Sequence, residues 1–334
     1  MDEMNPTRFL SIVIPTYNRA AFLDLSFEAH VPLARLHNIQ IFVSDNASTD
    51  NTKEVVDKWK NEYPLISYYC NETNLGPEDN IERALKYPDT EYVWLLGDTY
   101  RIPSDEIDYV YNLITNRSKE YDVILLNVGD ELKHINTQDY SDQNILLHDM
   151  FWLMTCLSTL VYSSKVIRNA NFERYRNTSF IQTGIIFEYI AGRDFVIHWN
   201  RSQSVRRVLS TGGVRKDLWS HDRLFEIWIE QRSNLILSLP ASYSIKTKLD
   251  AILYSSNMAG IKSLLMLRYR NILNITVYRN HTNLLLLNTE HSRSVVMFIS
   301  LLPRFIVKCG AVIGILLSRK NKLDRIKKVV RNEV

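Results

Sequence analysis

The sequence predicts an α/β domain, a doubly wound and mainly parallel sheet, followed by a helical C-terminal extension. Three observations carry this. Short apolar, β-branched runs alternate with helical stretches across roughly the first 130 residues, the pattern of strands covered by helices on both faces. From about residue 241 onward the helical pattern takes over. The 334 residues are 46% apolar and 23% charged, with 10 Gly, 9 Pro and no biased tract, which is enough for one large domain or two modest ones. Wholesale disorder and fibrous folds are excluded on the same composition.

The first run, Leu10-Ser-Ile-Val-Ile14, leads into a helical stretch at Arg19–Leu36 and a second run at Ile39–Val43. Ser48-Thr-Asp50 supplies a cap for a helix over Thr49–Tyr63, and Ile66–Cys70 is the third run. Pro77 stands at the first turn of a helix reaching Tyr87, where no backbone N–H is needed. Tyr92–Leu96 and Asp122–Val128 complete the strands. Ligands of such sheets bind at the carboxyl ends of the strands. Pro15-Thr-Tyr-Asn18, Ser44-Asp-Asn46 and Gly97-Asp-Thr99 are therefore the segments to read for chemistry.

Beyond residue 145 the pattern is less regular. Phe151–Leu157 and Ile181–Ile190 read as helices, Phe195–Trp199 and Ser204–Leu209 as strands, and Thr211-Gly-Gly213 as a turn. A second substrate is expected to be gripped here. The extension ends in an apolar stretch, Val295–Leu317, interrupted by Pro303, Arg304, Lys308 and Gly310, so it is not a clean membrane-spanning segment. Residues 318–334 follow with seven bases against Asp324 and Glu333. That is +5 of a net +3, leaving the body at −2. A near-neutral body excludes a nucleic-acid binder, which needs a basic folded face. An apolar stretch followed by a basic tail is the pattern of an interfacial anchor on an anionic membrane surface, and packing as a buried helix is the alternative. Cys70, Cys156 and Cys309 lack C-x-x-C spacing, which excludes a disulfide framework and zinc through cysteine. Their apolar or aromatic neighbours predict buried thiols in a reducing compartment. The opening MDEMNPTR has no basic-then-apolar pattern, so no secretory signal is expected.

Four segments carry a family resemblance: Leu10-Ser-Ile-Val-Ile-Pro-Thr-Tyr-Asn-Arg19, Val43-Ser-Asp-Asn-Ala-Ser-Thr-Asp50, Asn71-Glu-Thr-Asn-Leu-Gly76 and Tyr92-Val-Trp-Leu-Leu-Gly-Asp98. In this order and spacing they resemble the GT-A glycosyltransferases of family 2, bacterial enzymes that build O-antigens, capsules and related polysaccharides. The match covers residues 9–130 and is vaguer beyond. Within the family the whole chain is most similar to the abequosyltransferase type, which transfers a dideoxyhexose from a CDP donor. The resemblance implies a GT-A-type fold with a glycosyltransferase domain at 1–235, its nucleotide-binding half at 9–130 and its acceptor half at 131–235. A helical extension with a membrane-association segment follows at 236–334. Implied partners are a CDP- or UDP-type sugar donor, a lipid-linked oligosaccharide acceptor and an anionic membrane, with no nucleic acid. The implied place is the inner face of the cytoplasmic membrane.

The residues themselves fit a nucleotide-sugar. Pro15, Thr16 and Tyr17 end the first strand, where Pro stops pairing and opens a loop over the nucleotide. Asp45 can accept from the N3–H of uracil or the exocyclic amine of cytosine without choosing between them. Asn46, Ser48 and Asp50 stand beside it at a helix start; Asp50 is the better cap, which leaves Asp45 free. Asn74-Leu-Gly76 is a turn in which Gly76 serves either close approach to the nucleotide or the turn itself. Gly97-Asp98-Thr99-Tyr100 stands where the family usually has an Asp-x-Asp or Asp-Asp-Asp run that binds Mn²⁺ or Mg²⁺ across the diphosphate. Hard divalent cations need several oxygens, commonly from two carboxylates, and here only Asp98 is left. Either another acid joins it, or Arg206, Arg207 or Arg215 takes the diphosphate charge, unless these are ordinary surface residues.

Inverting members of the family place an acid at the start of a helix to remove the acceptor's proton. The corresponding segment, Phe180–Glu188, has Gln182 and Thr183 at that place. Candidate catalytic groups are therefore scattered over Asp98, Asp149 beside His148, Glu188 and His198, although a His next to Trp is more often packed than catalytic. The other explanation is a retaining transfer, in which the leaving diphosphate takes the proton. A non-catalytic nucleotide-sugar or glycan-binding module with a degraded metal motif is the rival. A dinucleotide-dependent oxidoreductase is excluded, because no G-x-G-x-x-G follows the first strand.

Overall fold

Leu10-Ser-Ile-Val-Ile14 is apolar without alternation because it becomes a central strand buried on both faces: Ile12, Val13 and Ile14 have no exposed surface. The computed structural model describes residues 9–129, 132, 134–207, 223, 225–254 and 259–317, with side chains to Gly310. Residues 1–8, the Thr211–Gly213 turn, Arg215 and the basic tail at 318–334 lie outside the described residues. The chain divides into two units, one of Met1–Val214 with Leu239–Ser244, the other of Arg215–Ser238 with Ile245–Val334.

The first unit runs β1 (Leu10–Thr16), α1 (Ala20–Leu36), β2 (Gln40–Asp45), α2 (Thr52–Glu62), β3 (Ile66–Cys70), α3 (Pro77–Lys86), β4 (Tyr92–Leu95) and β5 (Tyr100–Arg101). It continues through α4 (Ser104–Thr115), β6 (Val123–Val128), β7 (Gln138–Tyr140), α5 (Gln143–Met154), β8 (Leu160–Ser163), α6 (Ser164–Arg168), α7 (Ile181–Tyr189) and β9 (Ile197–Arg207). The strand order is β3-β2-β1-β4-β8-β6-β9-β5, with β7 also on β9. Strands β3, β2, β1 and β4 are mutually parallel, as the alternating pattern predicts. β8 enters antiparallel between β4 and β6, β9 runs parallel to β6, and β5 and β7 pair antiparallel with β9. The sheet is therefore mixed beyond β4. The carboxyl ends of β1, β2, β4, β6 and β9 share one edge.

Several expectations need correction. Pro15 does not stop pairing: β1 continues, with Pro15 opposite Ser44 and Thr16 opposite Asp45. The missing N–H falls on the β4 side, past the last bond from Leu96 N–H to Val13 O, so nothing is lost. The two strands expected at 195–209 form one strand, β9, whose register against β6 shifts between Leu126 and Asn127. Helix α4 was not expected at all. Cys70 and Cys309 are exposed and Cys156 is partly so, against the expectation of buried thiols.

The second unit is helical. A π-helical turn at Glu226–Gln231 runs into α8 (Arg232–Ser238), followed by α9 (Ile245–Tyr254), α10 (Ile261–Tyr269), α11 (Ile275–Leu287), α12 (Arg293–Leu301) and α13 (Arg304–Leu317). The expected Val295–Leu317 stretch is broken at Leu302-Pro303, because Pro303 cannot continue a helix. Val296 and Ile299 of α12 join Leu264, Leu273, Tyr278 and Leu285 in the core of this unit, while Phe298 and Leu301 point outward. Among the described residues no helix is long and apolar enough to cross a membrane.

Two side chains of the first unit yield stability tests. Gly184 of α7 is buried against Tyr175, where an added Cβ would lie 2.3 Å from the ring Cδ1. Tyr175 has no exposed surface and its hydroxyl donates to Glu188 Oε2 at 2.7 Å, so the ring has nowhere to go. Gly184→Ala is expected to cost about 1–3 kcal/mol, read as a lower urea midpoint. Glu106 of α4 is 2% exposed and accepts from Ser204 N–H at 2.9 Å. Burial pushes its carboxyl up to about 7 from 4.5. Its favourable contribution is therefore full below the unfolded value and lost as pH rises through the folded one. Glu106→Gln should melt above the unsubstituted protein at about pH 8, and the gap should close by about pH 5.

Candidate functional site

Three strand ends meet where the sequence places the chemistry. Thr16 ends β1, Asp45 ends β2 directly opposite it, and Asp98 lies three residues beyond β4. Asp98 is 5% exposed. Thr16 Oγ1 donates to its Oδ2 at 3.1 Å, and Arg19 Nη1 donates to its Oδ1 at 2.8 Å. Burial pushes the Asp98 carboxyl up, against the opposing pull of the Arg19 charge and of these hydrogen bonds. Arg19 closes the first motif in the sequence, but nothing local pairs it with a residue 79 positions later.

The loops after β1 and β2 are clipped together. Asn18, in the left-handed region at φ 51°, donates its N–H to Ser48 Oγ at 2.8 Å, and its Oδ1 accepts from Thr49 N–H at 2.7 Å. Ser48 in turn donates its N–H and hydroxyl to Asp45 Oδ1 at 2.9 and 2.5 Å. The helix expected from Thr49 starts at Thr52 with Asn51 as its N-cap, and Asp50, one residue earlier, accepts from Thr52 N–H on Oδ1 at 3.2 Å and from Ala20 N–H on Oδ2 at 2.9 Å. Asp45 is not free, however. Its Oδ2 accepts from the Tyr68 hydroxyl at 2.6 Å, and the residue is 1% exposed. Tyr68 lies on β3, beside β2, and only the sheet order reveals the pairing.

Asn46 holds the β3–α3 loop. Its amide donates to Asn74 Oδ1 and Gly76 O, and accepts from Asn71 Nδ2 and Leu75 N–H, all at 2.8–3.0 Å. With both ends of its amide used, Asn46 frames the loop and leaves nothing for a ligand. Gly76 has φ +87°, a backbone conformation that by itself calls for glycine. Tyr17 is 42% exposed at the mouth.

β5 and the end of β9 bring in two of the expected arginines. Tyr100 pairs with Arg207 and Arg101 with Arg206. Arg207 Nε donates to the Tyr100 hydroxyl at 3.2 Å, and its guanidinium lies 5.9 Å from the ring centre. Tyr100 N–H closes a turn onto Gly97 O at 2.9 Å, so Arg207 reaches the same Gly97–Tyr100 turn that carries Asp98 and Thr99. Position 102 is pinned as well. Ile102 N–H donates to Nε2 of the fully buried His30 at 2.8 Å, and burial pushes that imidazole down to about 4, keeping it neutral.

The scattered base candidates do not join this group. His198 pairs with Ile124, near the amino end of β6, away from the edge that carries Asp98. Its Nδ1 meets Asp139 and its Nε2 the Tyr109 hydroxyl, both at 2.6 Å, so it is a packing histidine. Asp149 binds the Tyr140 hydroxyl at 3.0 Å and His148 Nδ1 at 2.8 Å, and Tyr140 pairs with Ile197 at the start of β9. Glu188 holds Tyr175 and Arg174 at the far end of α7. At the near end Gln182 Nε2 donates to Thr155 O and Thr183 Oγ1 to Met154 O. Among the described residues no three His, Cys, Asp or Glu side chains converge as a metal set. With both Asp98 oxygens engaged, and Thr99 and Tyr100 following, the residues present do not fit a divalent cation held by two carboxylates.

The described geometry agrees with the comparisons. Residues 11–187 match the model of "Glycosyl transferase family 2". The chain is 27% identical to the abequosyltransferase RfbV of Salmonella typhimurium over 185 residues, 54% of this chain and 51% of that protein. It is 31% identical over 90 residues to the GalNAc(5)-diNAcBac-PP-undecaprenol beta-1,3-glucosyltransferase of Campylobacter jejuni, 27% of this chain and 29% of that protein. The matches thus span about half or less of these curated relatives. Among solved structures, S. aureus TarS in complex with UDP superposes with a TM-score of 0.56 at 13% identity, covering 97% of this chain and 91% of that one. The mannosyltransferase PcManGT of Pyrobaculum calidifontis, in complex with GDP-Man and Mn²⁺, gives 0.50 at 12% identity over 89% and 88%. These likenesses support the GT-A-type fold, and with a family match over more than half of its length the chain belongs to glycosyltransferase family 2.

Proposed function

We propose that the protein transfers a sugar, of the deoxyhexose type, from a CDP- or UDP-linked donor to a lipid-linked oligosaccharide of O-antigen or related polysaccharide synthesis. The reaction would run at the cytoplasmic face of the membrane. The observation that carries this is the convergence of Thr16, Arg19, Asp45 and Asp98 at the carboxyl ends of β1, β2 and β4, in a chain of this family. Similarity to an abequosyltransferase supports the donor class, and a relative acting on a PP-undecaprenol oligosaccharide supports the lipid-linked acceptor.

Asp45 would read the pyrimidine edge after the Tyr68 hydroxyl gives up Oδ2, and Tyr17 would cover the base. Asp98, held by Arg19, would border the ribose, and Arg207 with Arg206 would carry the diphosphate charge in place of a divalent ion. In the transfer, the anomeric carbon–oxygen bond to phosphate breaks and its electron pair leaves with the nucleoside diphosphate. The acceptor hydroxyl oxygen forms the new bond. Its proton passes to a leaving phosphate oxygen, because Gln182 and Thr183 supply no base at the start of α7. That route matches retention of configuration.

The rival, a nucleotide-sugar-binding module without turnover, is favoured only by the Thr99-Tyr100 departure. Release of nucleoside diphosphate from a CDP- or UDP-sugar by the purified protein, with a lipid-linked acceptor present, separates the two; binding without release would leave the module. Asp45→Ala is expected to weaken donor binding by about tenfold or more in calorimetry, the worth of one charge-assisted hydrogen bond, whereas Tyr68→Phe should leave it unchanged or tighter. Most turnover should survive a chelator. Complete loss restored by Mn²⁺ would show that a metal set forms with the donor.

A further inference from the structure

Two adjoining hollows open on the helical unit. One, of about 510 Å³, is lined by Arg268, Asn271, Asn274, Thr276, Ser300 and Leu301, among others. The second, about 500 Å³, shares Asn271, Asn274 and Val277 and adds Arg270, His281, Arg304, Glu226 and Glu230. The acids lie only on the second, and Glu226 is already engaged by Gln231 at 3.0 Å and Arg223 at 3.7 Å. The first is lined by a cation, amides and hydroxyls together with the apolar Ile275, Val277 and Leu301.

Arg268 and Arg304 are held by neutral oxygens. Arg268 donates to Leu302 O at 2.7 Å, Asn271 Oδ1 at 3.2 Å and Leu273 O at 3.3 Å; Arg304 donates to Tyr269 O at 3.2 Å. Among the described residues neither has a carboxylate partner. Burial and the nearby Arg304 charge both push the Arg268 guanidinium below its ordinary value, so two like charges are kept close. Beside them stands an exposed apolar face: Phe298 is 62%, Leu301 55%, Phe305 67% and Ile306 46% exposed. Cations over hydroxyls and amides, bordered by solvent-facing aromatics, complement a phosphate that carries hydrocarbon.

We propose that the Arg268 hollow, with Arg304 at its border, seats the phosphate headgroup of an anionic membrane lipid, and that Phe298, Leu301 and Phe305 enter the surrounding acyl region. This rests on the lipid-linked acceptor proposed above and names how the chain meets that lipid's membrane. The seven bases of the tail add attraction. The hollow adds a directed contact.

The test uses the full chain and vesicles of phosphatidylcholine with and without phosphatidylglycerol, read by co-sedimentation. Binding is expected only to the anionic vesicles, weakened about fivefold by Arg304→Gln and several-fold by Phe305→Ser, both surface changes that leave the tail in place. Arg268→Gln should weaken it at least as much as Arg304→Gln, with circular dichroism confirming its fold. Variants that sediment like the unsubstituted protein would overturn the seat, as would equal binding to pure phosphatidylcholine. Competition by millimolar inorganic phosphate would also overturn it, by showing a site for the free ion. CDP and UDP binding, followed by calorimetry, should be the same in all of them. Its absence from the unsubstituted protein would refute the transferase and leave the vesicle result standing.

Discussion

A carboxylate that is 5% exposed cannot be left alone in a protein interior, and the crevice at the strand ends is built around satisfying one. Asp98 takes Arg19 on one oxygen and Thr16 on the other. For Arg19 to turn back onto β4, the chain must reverse just after β1, and Asn18 does so in the left-handed region that asparagine tolerates. The same Asn18 ties itself to Ser48 and Thr49, and Ser48 passes the connection to Asp45. One buried ion pair thus fixes two loops, and through them the second carboxylate of the site.

The side of the crevice toward β3 is held without charge. Asn46, Asn71, Asn74 and Asn80 exchange amide hydrogen bonds that join β2, the β3–α3 loop and α3. An amide donates and accepts at once, so a neutral network can be buried and fully satisfied where carboxylates would need cations. Arg83 donates to Asn71 Oδ1 at 3.0 Å from the rim. Asp45 on this side is held by the Ser48 N–H and hydroxyl, the Tyr68 hydroxyl and the Cys70 thiol.

The parallel half was legible because each strand there is a continuous apolar run bounded by turn residues, and Pro77 and Asp50 announce the helix starts. Helix α4 was missed even though Ile107, Val110 and Ile114, which it buries, recur at helical i, i+3, i+7 spacing. β9 was cut in two because polar residues 200–204 cross the register shift, where a strand need not alternate. The residues of the site were legible as a set of strand ends, since position in the sheet follows from the motifs. Their roles were not. That Asp45 is held by Tyr68, that Asn46 is a frame, and that His198 has both nitrogens occupied are pairings across 23 to 89 positions, which no local pattern encodes.

Two acids that the family resemblance leads one to expect are absent: the second carboxylate after Asp98, and the one at the start of α7. The two places are neighbours in space. Gln182 bonds to Thr155, and Ser158, three residues on, accepts from Gly97 N–H at 3.0 Å. A carboxylate about 4 Å from a phosphate oxygen costs about 4 kcal/mol at an effective dielectric of 20 unless a cation offsets it. With Thr99, Tyr100, Gln182 and Thr183 at these places, that repulsion does not arise. The remaining acid, Asp98, brings its own guanidinium, and Arg207 stands at Tyr100. The two departures thus act in one electrostatic direction, taking negative charge away from an edge where Arg19 and Arg207 stand.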